Sequence, residues 1–265
     1  MWLANSTMIN KHYSMGRGVA PKHPKPSQAM ESVTFADKRS WPQLEFSDEG
    51  LSAIKWLALA LMVVDHINKY LFNGSEGWMY AAGRISMPLF AVVLGYNVSR
   101  PGLLAAGGYG RTALRLALFG ALATPPFIAV NTLIAGWWPL NMMFTLLIAV
   151  LVAWLLDIGG RWPIISACLV LAWGGSLGEY WWPAIGLCLF VWAYRRQPSA
   201  GAAIGFVSCL ILLYFVNGNF WALATLPVLA MMTRWTVALP RAQWVFYAFY
   251  PIHLTIFWFY LSAPI

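Results

Sequence analysis

Two kinds of chain succeed one another along this sequence. Residues 1–50 mix polar, basic and proline positions without an apolar run, as in PKHPKP at Pro21–Pro26. From residue 51 onward, apolar stretches recur with short polar breaks between them, at about 51–70, 80–99, 112–134, 140–156, 162–175, 181–195, 201–216, 219–233 and 243–262. A straight membrane helix needs roughly 20 predominantly apolar residues, and several of these stretches are somewhat shorter. The pattern predicts an all-α fold: a polytopic transmembrane helical bundle of about nine spans over 51–265, behind a disordered basic leader at 1–50. The pair around 201–233 is broken only by Asn217-Gly218-Asn219 and is also compatible with a re-entrant hairpin. Ser47-Asp48-Glu49-Gly50 supplies N-cap chemistry just ahead of the first run.

Composition removes the soluble alternative. Hydrophobic residues make up 60% of the chain and charged residues 10%, where an ordinary globular chain carries about 25% charged residues. Mean hydropathy is +0.63. The formal charge of +8 is therefore tested first against membrane topology and does not imply nucleic acid. With the N-terminus inside, every Lys and Arg falls on the inner side except Lys69 and Arg84. The breaks at Trp137–Pro139, Gly178–Trp182 and Asn217–Asn219 carry no Lys or Arg. The leader has no apolar segment after its basic residues, so it does not read as a signal peptide. Cys168, Cys188 and Cys209 sit in apolar runs without C-x-x-C spacing, and neither a metal site nor a disulfide framework is expected.

One stretch breaks the apolar pattern from within. Lys55–Tyr70 reads KWLALALMVVDHINKY, with Asp65-His66 inside the first span. An ionisable side chain at the centre of a bilayer costs ~2.5–3.5 kcal/mol on insertion scales, so such residues tend to carry function. At 1.5 Å per residue, His66 lies ~16 Å from the inner end at Lys55, and His253 lies ~15 Å into the last span. The two histidines therefore fall at similar depth. Asp65 and His66 diverge by about 100° on a helix, which argues against a direct bond between them. Asp65 is expected to pair with a cation from another segment, Arg84 being nearest in sequence. Lys69 and Arg84 have two readings, snorkelling at the outer interface or a cationic rim of an outward-facing site. Asn97, Asn141 and Tyr250 are further polar groups in apolar surroundings, and interhelical hydrogen bonding would also explain each. No phosphate loop, zinc motif or serine elbow is present.

Four segments together carry a resemblance: IKWLALALMVVDHI at Ile54–Ile67, GRISMPLFAVVLGYN at Gly83–Asn97, NMMFTLLIAVLV at Asn141–Val152 and FYPIHLTIFW at Phe249–Trp258. In this order they resemble the TraX family of conjugal transfer proteins, including plasmid transfer proteins of the TrbP type, over essentially 51–262. The resemblance implies a bacterial inner-membrane, multi-pass acetyltransferase that acetylates the N-terminal amine of a conjugative pilin subunit. The chain is also similar, more distantly, to membrane acyltransferases that carry acetyl groups from cytoplasmic acetyl-CoA across the membrane, which implies that donor and an essential membrane-embedded histidine, here His66. On that basis the expected catalytic set is His66, Asp65 and His253, and the acceptor side comprises Arg84, Lys69, Asn97, Asn141 and Tyr250. Arg100, Arg111 and Arg115, the densest inner cluster, are the candidates for the anionic donor, and plain topology signalling would explain them as well. The pilin subunit and the lipid bilayer are the expected partners. The competing expectation is a non-catalytic assembly or chaperone protein that holds pilin subunits in the inner membrane. A proton-relay transporter finds no inverted repeat to support it.

Overall fold

The computed structural model describes residues 41–234, 239–240 and 242–263. Ten α-helices are defined among them: α1 Asp48–Leu71, α2 Gly77–Val98, α3 Gly108–Val130, α4 Met142–Ile158, α5 Arg161–Leu177, α6 Trp181–Arg196, α7 Ala200–Leu212, the single turn α8 Tyr214–Asn217, α9 Thr225–Met232 and α10 Gln243–Ser262. A 3-10 turn, Trp221–Ala224, leads into α9. Each of the nine expected apolar runs falls on helix, and the seventh and eighth are the ones that fragment. There Gly218 takes a left-handed φ of 67° and turns the chain between α8 and the 3-10 turn.

Local chemistry sets the ends. Ser47 caps α1 by accepting the Gly50 amide at 2.9 Å, and Asp48 and Glu49 favour the positive end of the helix dipole. Asn141 and Ser199 cap α4 and α7 in the same manner. Gly159 and Gly160, at φ 70° and 84°, make the tight link from α4 to α5.

Five segments are long and apolar enough to cross a membrane: α1, α2, α3, Ala200–Asn217 and Trp244–Ser262. The apolar helices α4 and α5 are shorter, at 17 residues each. Exposure supports a lipid setting. Leu114, Leu118 and Leu122 form a stripe at four-residue spacing on α3 and are 70%, 53% and 55% exposed. On α5, Trp162, Ile165, Leu169 and Trp173 do the same. Water would penalise such stripes, whereas hydrocarbon accepts them.

In the bundle, α2 packs on α1 and α6, α4 lies among α3, α5 and α6, and α10 returns to lie against α3 and α1. The first and last helices are thereby neighbours. The expected boundary at residue 50 falls late. Phe46 is buried and exchanges hydrogen bonds with the Tyr96 hydroxyl, while Tyr194 and Arg195 hold the carbonyls of Pro42 and Leu44. The last part of the expected leader is thus strapped to α2 and α6. Residues 1–40, with His12 and His23, lie outside the described residues.

Candidate functional site

The site starts from a contact between α1 and α10. His66 Nδ1 and His253 Nε2 are 2.6 Å apart, and the rings are nearly parallel at 8°. His253 Nδ1 lies 2.9 Å from the carbonyl oxygen of Phe249, which can only accept. In the neutral pair, His253 Nδ1–H therefore donates to Phe249, and His253 Nε2 accepts from His66 Nδ1–H. That assignment leaves the lone pair of His66 Nε2 as the free basic nitrogen. Tyr70 and Phe257 flank the pair, with the Tyr70 ring 5.5 Å from His66. The similar depths expected from sequence are realised as a direct contact.

Asp65 points off to α2. Arg84 Nη2 donates to Asp65 Oδ1 at 2.5 Å, Nη1 donates to Asn217 Oδ1 at 3.3 Å, and the guanidinium lies 4.3 Å from the Tyr80 ring centroid. Both charged side chains are 13% exposed. Gly83 makes room for this pair, since a Cβ there would meet Asp65 Oδ1 at 2.2 Å. The pairing of Asp65 with Arg84 expected from the sequence is thus present. Asp65 is similarly engaged with Arg84, away from the histidines.

A cavity of about 550 Å³ lies between α1, α2, α3, α4 and α10. Its mouth carries Lys55, Arg100, Arg111 and Arg115, and its walls are apolar, with Leu59, Phe90, Leu94 and Leu116 among them. Its far end is formed by Met62, Met142, Met143 and Tyr250. Met62 precedes His66 by one helical turn, and Tyr250 precedes His253 by about one turn, so the lining comes within about a turn of the pair, which itself does not line the cavity. Arg100 is held by Asp48 at 2.9 Å, and Arg115 stacks 4.8 Å from the Trp244 ring centroid. Cationic residues assigned to the inner side by sequence thus converge on one opening.

The remaining expected positions separate. Asn97 lines the cavity, and Tyr250 is buried with its ring 5.5 Å from that of His253. Lys69 is exposed and donates to Asn131 Oδ1 at 2.5 Å, an oxygen that also accepts from the Tyr70 hydroxyl at 3.1 Å. Asn141 bonds between helices, as its alternative reading expects. Its side chain caps α4 at Met143 and donates to the Gly120 carbonyl and the Thr124 hydroxyl of α3, so it is a structural residue. Among the described residues, no group of three or more His, Cys, Asp or Glu could hold a metal ion.

Sequence reasoning missed Glu179, in the turn between α5 and α6. Its carboxylate accepts the Met142 amide and faces Lys69, Asp65 and Arg84. Burial pushes this carboxyl up to about 7, against the opposing pull of Lys69 and Arg84. The only local signal was Gly178 before it, and that glycine is required by the close approach of Thr145.

Comparison with known proteins agrees with this arrangement in extent. A family model described as "TraX protein" matches residues 50–261. Two curated relatives named "Protein TraX", from Escherichia coli and from Escherichia coli strain K12, are 31% and 30% identical over 162 residues. The match covers 60% of this chain and 61% of each relative. No solved structure matches.

Proposed function

The chain belongs to the TraX family, and from that premise we propose that it is a membrane-embedded acetyltransferase of bacterial conjugation, resident in the inner membrane. It transfers acetyl from acetyl-CoA to the N-terminal amine of a pilin subunit. The observation that carries this reading is the His66–His253 contact, about one helical turn from Met62 and Tyr250, which line a cavity that Arg100, Arg111 and Arg115 also line.

Arg100, Arg111 and Arg115 offer charge and directed donors to the phosphates of the donor, which stay on the inner side. The apolar walls suit the uncharged arm that ends in the thioester. At the far end, the free Nε2 of His66 serves as base toward the acceptor nitrogen. His253 holds the His66 ring in that tautomer and shares the charge when His66 is protonated. An acetyl-His66 intermediate uses the same nitrogen and the same geometry.

The test is the intact mass of the cognate pilin made with this protein, without it, and with His66→Ala. An acetyl mass only with the wild-type chain is expected, since removing a general base costs about 10²–10⁴ in rate. Identical pilin masses in all three, with His66→Ala folded in the membrane, would sink the acetyltransferase reading in favour of an assembly role. Labelled acetyl trapped on the protein without acceptor would assign the relay through His66.

A further inference from the structure

The proton balance of the reaction asks for more than one base. A peptide amine arrives mainly as ammonium, with an unperturbed pKa of ~7.7–8.0. It must lose one proton before it can attack and a second as the amide forms. His66 Nε2 accounts for one of the two.

Glu179 lies in the turn between α5 and α6, against the start of α4, where Met142 lines the cavity. Its turn is pinned inward. The Glu179 amide donates to the Leu140 carbonyl at 2.9 Å, and the Thr145 hydroxyl donates to the Glu179 carbonyl at 2.9 Å. Tyr180 and Trp181 follow at φ 63° and 51°, a region that residues with bulky side chains avoid. The carboxylate sits at the first amide of α4 and faces Lys69 and Asp65 of α1, Arg84 of α2 and Tyr180 of its own turn. It also interacts with Tyr70 and Tyr250. Those two tyrosines flank His66 and His253, each with ring centroids 5.5 Å apart. Met142 and Tyr250, next to Glu179, are also cavity-lining residues. Asp65 is engaged with Arg84, which leaves Glu179 as the carboxylate placed to meet an incoming cation.

We propose that Glu179 is the second base of the site: it docks the primary ammonium of the acceptor and takes its first proton. This rests on the acetyltransferase reading above. The carboxylate removes a proton from the ammonium, and the freed lone pair attacks the thioester carbon. The C–N bond forms as the C–S bond breaks. His66 Nε2 takes the second proton and passes it to the departing thiolate, giving the free thiol. The proton on Glu179 returns to outer water, so each turnover releases one proton. The acceptor class that needs this device is a primary amine, because a hydroxyl acceptor has one proton to lose. A carboxyl that titrates near 7 is matched to a terminal ammonium for this exchange.

Glu179→Gln is the test, because its amide oxygen still accepts the Met142 amide. Acetyl transfer to a peptide with the mature pilin N-terminus is followed across pH, with binding of the free and N-acetylated peptides to the purified protein alongside. At about pH 6.5 the variant is expected to lose at least about tenfold in kcat/KM, and near pH 9, where the amine is already neutral, to recover to within about threefold. Wild type is expected to prefer the free peptide over its acetylated form about tenfold, and Glu179→Gln to lose that preference while acetyl-CoA binding is unchanged. A variant that follows wild type at every pH, or one equally impaired at every pH with the preference intact, overturns the proposal. Selective binding of the free peptide through Glu179 without any acetyl transfer by wild type would uphold the ammonium site and overturn the acetyltransferase reading.

Discussion

Asp65 and Arg84 show how a membrane chain disposes of charge one residue at a time. Each is nearly buried and each is the other's counter-ion. Removing one partner strands the other, at a cost of about 3–5 kcal/mol. Arg84→Gln is therefore expected to lower the melting temperature of the purified protein strongly, and Asp65→Asn in the same chain to restore part of it. Equal and additive losses would show that the two do not act as a pair. Glu179 sets a pH dependence. Its carboxyl holds a proton in the folded chain up to about 7, whereas an unfolded one releases it near ~4.3. Stability therefore falls as pH rises through that window and does not return above it. Wild type should lose more melting temperature between about pH 5 and pH 8 than Glu179→Gln does; parallel curves would count against the raised pKa. Depth arithmetic was enough to suggest that His66 and His253 could meet, and the divergence of adjacent helical residues was enough to send Asp65 toward Arg84. Glu179 was not legible. A lone acid in a short polar break looks solvated, and it is turned inward by contacts with Leu140 and Thr145, more than thirty residues away. For Asn141, the interhelical hydrogen bonding that its polar side chain suggested is what the structure shows, together with a cap on α4.

At the scale of elements, close helix approach is bought with glycine. Gly83 lets α1 and α2 close over the Asp65–Arg84 pair, and Gly95 lies where a Cβ would come within 2.4 Å of the Cys188 carbonyl on α6. Gly83→Ala is expected to destabilise the bundle by about 1–3 kcal/mol, the usual penalty of overpacking. Gly77, at the start of the same helix with nothing within 4 Å, is the control, and Gly77→Ala should be near neutral in the same thermal assay. Helix positions were readable from the apolar runs because short polar breaks bound each of them. Helix ends were less so: α3 begins at Gly108 and stops at Val130, since Asn131 turns extended and bonds back to the Phe127 carbonyl. The fragmentation of the seventh and eighth runs was signalled by Asn217-Gly218-Asn219 and follows from the left-handed Gly218.

For the whole molecule, the asymmetry of charge gives the cavity a direction. Lys55, Arg100, Arg111 and Arg115 line the cavity, and the histidine pair lies about one helical turn beyond its residues Met62 and Tyr250. On the acetyltransferase reading proposed above, Arg111→Gln and Arg115→Gln are each expected to raise KM for acetyl-CoA about tenfold with kcat little changed, because a lost charged hydrogen bond costs about 1.5–3 kcal/mol. The effect should shrink in high salt, where exposed charges are screened. Arg100 is already held by Asp48, so its removal should cost less. Donor affinity unchanged in both single variants would return these residues to topology alone.

The two intramembrane polar contacts differ in sequence separation. Asp65 finds Arg84 after 19 residues, whereas His66 waits 187 residues for His253. During synthesis the first pair can close as soon as the second helix enters the bilayer. The second must wait about 10–40 s at ordinary elongation rates of roughly 5–20 residues per second. Until then His66 has no imidazole partner and its tautomer is unset. A nascent chain on the ribosome would thus be anchored early, and on the reading proposed above it would stay chemically silent until the last helix arrives.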